Sequence, residues 1–228
     1  MLRYLNGNQK NFQKKLKLIL NERKLTQKNK SGNVKNIIKN VKKNGDKAVI
    51  EYEKKFSKIV TKKNSLKFSL KEINKISLKI DKKLKKSIDF AFDRIKSFHV
   101  QQKVIPFKFK DKYNNELAYI YSPIDSIGVY VPGGTASYPS TVLMNCIPAL
   151  TAGVKKISLT TPAFGGNVNP AIIYAAKKCG IKEIYKTGGA HSIAALAYGT
   201  KTFKKVDKIV GPGNAFVAAA KKEVFGDV

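Results

Sequence analysis

From about residue 117 the chain alternates short apolar segments with helical patterns, and this rhythm limits the fold more than any other feature. Residues 117–121, 126–131, 156–161, 183–186 and 208–210 read as strands. Residues 141–152, 170–179, 192–198 and 215–224 read as helices, with Pro148 a kink inside the first and Gly180 and Gly199 closing the second and third. Strands and helices in this order predict βαβ units, a parallel sheet and right-handed crossovers. The fold class expected is therefore α/β.

Ahead of that alternation the pattern is helical and charged. Val34, Ile37, Ile38 and Val41 fall at i, i+3, i+4 and i+7, one face of a helix that Gly45 stops. Asp46 is placed to cap a second, short helix lined by Val49, Tyr52 and Phe56. Ser69 and Glu72 have capping-box spacing ahead of Ile73, Ile76 and Ile80. Asp81 is placed to cap a longer helix, to about residue 101, with Leu84, Ile88, Ala91, Ile95 and Phe98 on one face. The composition shift sets an expected boundary between residues 1–120 and 121–228.

The formal net charge is +30, from 45 Lys and Arg against 15 Asp and Glu. Such an excess invites a nucleic-acid reading. Only Arg3, Arg23 and Arg94 are arginines, however, and base or bidentate phosphate readout favours the planar guanidinium. The chain is also rich in Asn and Ile, so a coding bias accounts for the lysines without a ligand. No specific nucleic-acid partner is expected, only salt-sensitive nonspecific contact. Cys146 and Cys179 are too few for a disulfide framework or a cysteine-rich zinc site, and both resemble small apolar fillers. No apolar run approaches a bilayer span, and a reducing, cytoplasmic setting is the default expectation.

Ligands of open parallel sheets bind beyond the carboxyl ends of the strands. Those ends carry three glycine-rich turns here: Tyr130 to Thr135 (YVPGGT), Thr187 to His191 (TGGAH) and Val210 to Asn214 (VGPGN). Glycine permits positive φ and close approach of a ligand, and a following helix points free N–H groups at that space. Phosphate or dinucleotide binding and plain turn chemistry both remain open on this ground. Gly211 and Gly213 supply only two glycines of a G-x-G-x-x-G fingerprint, and no P-loop is present. Three side chains on these turns are candidates. Tyr130 is either a core aromatic or a ligand wall. His191 is either a neutral cleft residue at a helix start or a capping or surface residue. Asn214 is either a ligand contact or the N-cap of the last helix. His99 reads as structural, and no cluster of metal-site spacing is visible.

Three of these stretches also carry a resemblance. Residues 128–136 with Ser140 to Met144, residues 188–199 (GGAHSIAALAYG) and residues 206–214 (VDKIVGPGN) closely resemble the histidinol dehydrogenase family. Gly45 to Ala48 with Tyr52 and Phe56, and Phe98, His99, Gln102 and Lys103, are similar to it too, so the likeness runs from about residue 34 to Val228. The resemblance implies an NAD-dependent, zinc-containing homodimer of histidine biosynthesis that oxidises L-histidinol to L-histidine by way of L-histidinal. It implies two incomplete Rossmann-like domains: a mainly helical 1–120 with part of the first, then 121–228 as an incomplete Rossmann-like parallel-sheet domain. The family's NAD contacts fall on Tyr130, His191 and Asn214. The family usually has Gln where His191 stands; neutral His also offers one donor and one acceptor, in a different geometry. Members of the family are longer. Their zinc ligands, substrate contacts and acid/base Glu–His pair continue past Val228, so no catalytic or metal residue is assigned here, and an N-terminal fragment inactive by itself is expected. The alternatives are a non-catalytic NAD-binding module and a basic nucleic-acid-associated protein.

Overall fold

A computed structural model of the chain describes residues 4–57, 66–133 and 137–228. Gly134 and Thr135 of the first glycine-rich turn, and Ala136 after them, lie outside the described residues.

Two long-range facts organise the chain. A parallel sheet is built from β3 (Ser126–Tyr130), β4 (Lys156–Thr160), β5 (Glu183–Tyr185) and β6 (Lys208–Val210), in the order β5-β4-β3-β6. Counted from β3, this is the 3-2-1-4 order of one half of a Rossmann sheet. Its strand order reverses between β3 and β6, which is the topological switch point. The α/β fold class is as expected, with strand bounds within a residue or two of the sequence pattern.

Helices cover both faces, which is why the strands read as apolar runs rather than alternating ones. On one face α5 (Pro139–Ala152) and α6 (Pro170–Lys178) pack on Ile127, Val129, Leu159 and Ile184, joined by Ile73 of α3 (Leu70–Ser77) and Ile88 of α4 (Lys82–Val100). On the other, α7 (Gly189–Tyr198) and α8 (Ala215–Glu223) pack with α1 (Phe12–Asn44) and α2 (Asp46–Ser57) around Tyr130, Tyr185 and Leu196. Residues from before position 120 thus enter both apolar clusters. Along β3 the side chains alternate between the clusters, and Tyr130 falls on the α7 side. Cys146 and Cys179 are free and buried.

Local signals explain several helix ends. Ser69 and Glu72 form a complete capping box, and the Asp81 carboxylate accepts from the Lys83 and Leu84 amides. Pro139 takes the first turn of α5, where a missing N–H costs nothing. Several expectations are corrected. Asp46 is not an N-cap: it is the first residue of α2, and its carboxylate accepts from the Thr200 and Thr202 hydroxyls, tying α2 to the loop after α7. The α1 helix extends far ahead of its apolar face, to Phe12. On α4, Ile88 is buried while Leu84 and Phe98 are exposed. An antiparallel ribbon of β1 (Phe107–Lys110) and β2 (Glu116–Tyr119) precedes the sheet; its first strand was not anticipated.

Candidate functional site

Tyr130, His191 and Asn214 line one cavity of ≈ 350 Å³, at the carboxyl ends of the strands beside the switch point. Pro162 and Phe164 follow β4 into its wall; Ile37, Phe56 and Phe216 come from α1, α2 and α8. The volume lies at the small end of ligand pockets, roughly 300–1,000 Å³.

Each candidate side chain has its own environment. Tyr130 ends β3, is 3% exposed, and accepts a hydrogen bond from the Gly189 amide at 3.3 Å. Burial pushes its phenol up; the Gly189 amide opposes this and the Glu53 charge adds to it. Its hydroxyl proton remains available to a ligand. Asn214 is the N-cap of α8, its Oδ1 accepting from the Phe216 and Val217 amides at 3.0 and 3.1 Å. Only its amide N–H groups are left to offer the cavity. His191 lies in the first turn of α7, which starts at Gly189, three residues before the sequence pattern places it. It is 2% exposed, so it is not a surface residue.

Sequence reading missed the residue beneath it. Glu53 of α2 is fully buried, and its Oε1 accepts from the Thr187 hydroxyl (2.5 Å), the Gly188 amide (3.0 Å) and His191 Nε2 (2.8 Å). Burial pushes the Glu53 carboxyl up. The hydrogen bond from His191, with smaller help from the Thr187 and Ser57 hydroxyls, opposes that, and the carboxyl lies below the ordinary carboxylate value. The available signal was positional: Glu53 stands four residues after buried Val49, putting a carboxylate on the inward face of α2.

The glycines and helix ends differ from expectation in what they serve. A Cβ at Gly188 would come within 2.3 Å of Pro162 Cγ. One at Gly211, where φ is +102°, would come within 2.1 Å of the Tyr130 carbonyl oxygen. Both positions need glycine for internal packing. At α7, Glu53 and Tyr130 already occupy the Gly188 and Gly189 amides; at α8, Asn214 occupies those of Phe216 and Val217. These amides do not await a phosphate. The side chains of Tyr130, His191 and Asn214 bring further polar groups to the cavity lining.

A sheet of this order with a cavity at its switch point defines an open α/β protein of Rossmann type. Its family follows from comparison. The histidinol dehydrogenase family matches residues 20–228, and the chain belongs to that family. It is 54% identical over 228 residues to histidinol dehydrogenase of Pelagibacter ubique, covering 100% of this chain and 52% of that protein. It is 42% identical over 217 residues to that of Mesorhizobium japonicum, covering 95% of this chain and 50% of the relative. The crystal structure of histidinol dehydrogenase from Elizabethkingia anophelis superposes with a TM-score of 0.82 at 40% identity, over 86% of this chain and 45% of that one. The chain spans about half the length of the curated relatives it matches.

Among the described residues no group of three or more His, Cys, Asp or Glu could hold a metal ion, so the residues present do not fit zinc. They do fit part of a dinucleotide: the cavity has aromatic walls and five polar side chains, those of Asn33, Ser57, Tyr130, His191 and Asn214, and one of them has a buried nitrogen without a partner among the described residues. Among the described residues no helix is long and apolar enough to cross a membrane.

Proposed function

We propose that this chain supplies the dinucleotide side of an NAD-dependent histidinol dehydrogenase, acting on L-histidinol in histidine biosynthesis, in the cytoplasm and as a homodimer. Family membership supports the activity. The observation that carries the assignment of the site is that Tyr130, His191 and Asn214, far apart in sequence, line one cavity at the switch point. NAD, when bound, supplies the hydride acceptor. This chain's residues bind and orient it. Phe56, Phe164 and Phe216 offer apolar walls, the Tyr130 hydroxyl and Asn214 amide offer donors, and Pro162 and Gly188 close the floor. At ≈ 350 Å³ the cavity would take one nucleoside-sized portion of the cofactor. No step is assigned to zinc or to an acid/base pair in this chain.

Calorimetric titration with NAD tests the proposal. Saturable binding is expected, weakened about tenfold in Tyr130→Phe, the scale of one buried hydrogen bond to a ligand. The ring stays in place in that variant, so folding is preserved. A wild-type chain that takes up no NAD overturns the assignment.

A further inference from the structure

Among the described residues, three buried side-chain atoms lack a hydrogen-bond partner: Glu53 Oε2, Thr161 Oγ1 and His191 Nδ1. Two belong to one hydrogen-bonded pair, and that pair reaches the cavity through His191. An unsatisfied buried polar group is costly and rare, and it asks for an occupant.

The geometry restricts what that occupant offers. An ionised carboxylate only accepts, and Glu53 Oε1 lies 2.8 Å from His191 Nε2, so Nε2 carries a proton. Nδ1 then holds either a bare lone pair or a second proton. The Glu53 carboxylate favours a second proton, but that proton would leave a charged N–H donor buried without a partner among the described residues, in the first turn of α7, where the helix end opposes positive charge. An unpaired acceptor is the less costly state. The ring has little freedom to turn: Phe56 stacks on it with centroids 6.0 Å apart, and Tyr52 lies against it at 5.7 Å. Its Nδ1 edge faces position 189, where a Cβ would stand 3.5 Å away, so any side chain there would crowd the approach to Nδ1 that glycine keeps free of one.

We propose that Glu53 is a positioning residue that holds His191 in the Nε2–H form, so that Nδ1 accepts a hydrogen bond from the molecule in the cavity. The group recognised at His191 is therefore an O–H or N–H donor, such as a ribose hydroxyl or a carboxamide, and not a phosphate oxygen. The identity of that molecule rests on the dinucleotide reading; the state of the imidazole does not.

Two measurements separate these claims. The first is ¹⁵N spectroscopy of the imidazole in the free protein near neutral pH, in a His99→Gln background that silences the other histidine. The neutral Nε2–H form is expected, giving way to a mixture of tautomers in Glu53→Ala, while Glu53→Gln, which keeps an acceptor, retains it in part. An imidazolium or an Nδ1–H form overturns the proposal. Inorganic phosphate should leave the Nδ1 resonance unmoved, and NAD should shift it; a shift with phosphate alone overturns donor recognition. The second is a double-mutant cycle on NAD affinity. Glu53→Ala is expected to weaken binding about tenfold with His191 present and less than about twofold in His191→Ala. Equal losses in both backgrounds would make Glu53 merely structural and overturn its positioning role. If Glu53→Ala does not fold, Glu53→Gln carries the cycle with a smaller coupling of the same sign. If the wild type binds no NAD, the dinucleotide reading falls, and the spectroscopic arm still decides the role of Glu53.

Discussion

The parallel sheet and the β1–β2 ribbon stand next to each other in the chain and hold opposite relations to water. All five residues of β3 are buried, and they show no polar alternation. Both strands of the ribbon are exposed throughout, yet they alternate: Phe107, Phe109, Leu117 and Tyr119 share one face, Lys108, Lys110 and Glu116 the other. Cross-strand stacking of Phe107 on Tyr119, with centroids 5.5 Å apart, and the turn held by Asp111 keep the ribbon in register. Alternation therefore specifies how two strands pair, but not whether their apolar face is covered. Burial in the sheet comes from helices laid on both sides, which no strand encodes alone. An isolated two-stranded ribbon is marginal in water, so the two regions should differ in how much each side chain contributes.

The largest expected contrast is in apolar truncation. Leu159→Ala, at a fully buried sheet position, should cost about 2–5 kcal/mol. Leu117→Ala, at a ribbon position 50% exposed, should stay under about 0.5 kcal/mol. Urea denaturation of both variants checks this, and equal losses would break the contrast. Next come the carboxylates. Glu53 in the buried layer and Asp111 in the ribbon turn both sit below the ordinary carboxylate value, Asp111 through Asn115 and Tyr113 in an exposed setting. Each group's folded value is lower than its unfolded one, so the unfolded chain takes up the proton first as pH falls. The stability each contributes is present above the ordinary carboxylate range and is lost as pH falls through the lowered folded value. Glu53→Gln should lower stability by about 1–3 kcal/mol at neutral pH, with the gap to wild type closing under acid. Asp111→Asn should show a much shallower pH dependence, because solvent screens it. Denaturation across a pH series distinguishes them. The smallest contrast is between two ion pairs of equal length. Lys67 and Glu183 meet at 2.7 Å beside the sheet edge, and Lys108 and Glu116 meet at 2.7 Å across the ribbon. Lys108→Ala should change stability by less than about 0.5 kcal/mol, and Lys67→Ala by up to about 1 kcal/mol, both fading with added salt.

Several features of the fold and site were legible because their causes are local. Capping at Ser69, Asp81 and Asn214 needs only the residues two or three positions on. The strand–helix alternation reports one element at a time. Other features had distant causes. The carboxylate of Asp46 is in the right place for a cap, but the hydroxyls of Thr200 and Thr202 claim it from across the chain. A four-residue strand such as β1 exists only because β2 pairs with it. Glu53 meets its partners Thr187, Gly188 and His191 only after α2 is laid against α7.

By itself the sequence determined the kind and order of the elements, since periodicity and capping act over a few residues, and it marked Tyr130, His191 and Asn214 as residues at strand ends. The tertiary structure alone decided that these three share a cavity and that a buried carboxylate stands behind the histidine. The reason is physical: which face of β3 presents Tyr130, and which helix reaches it, depends on crossovers that carry the chain from one side of the sheet to the other.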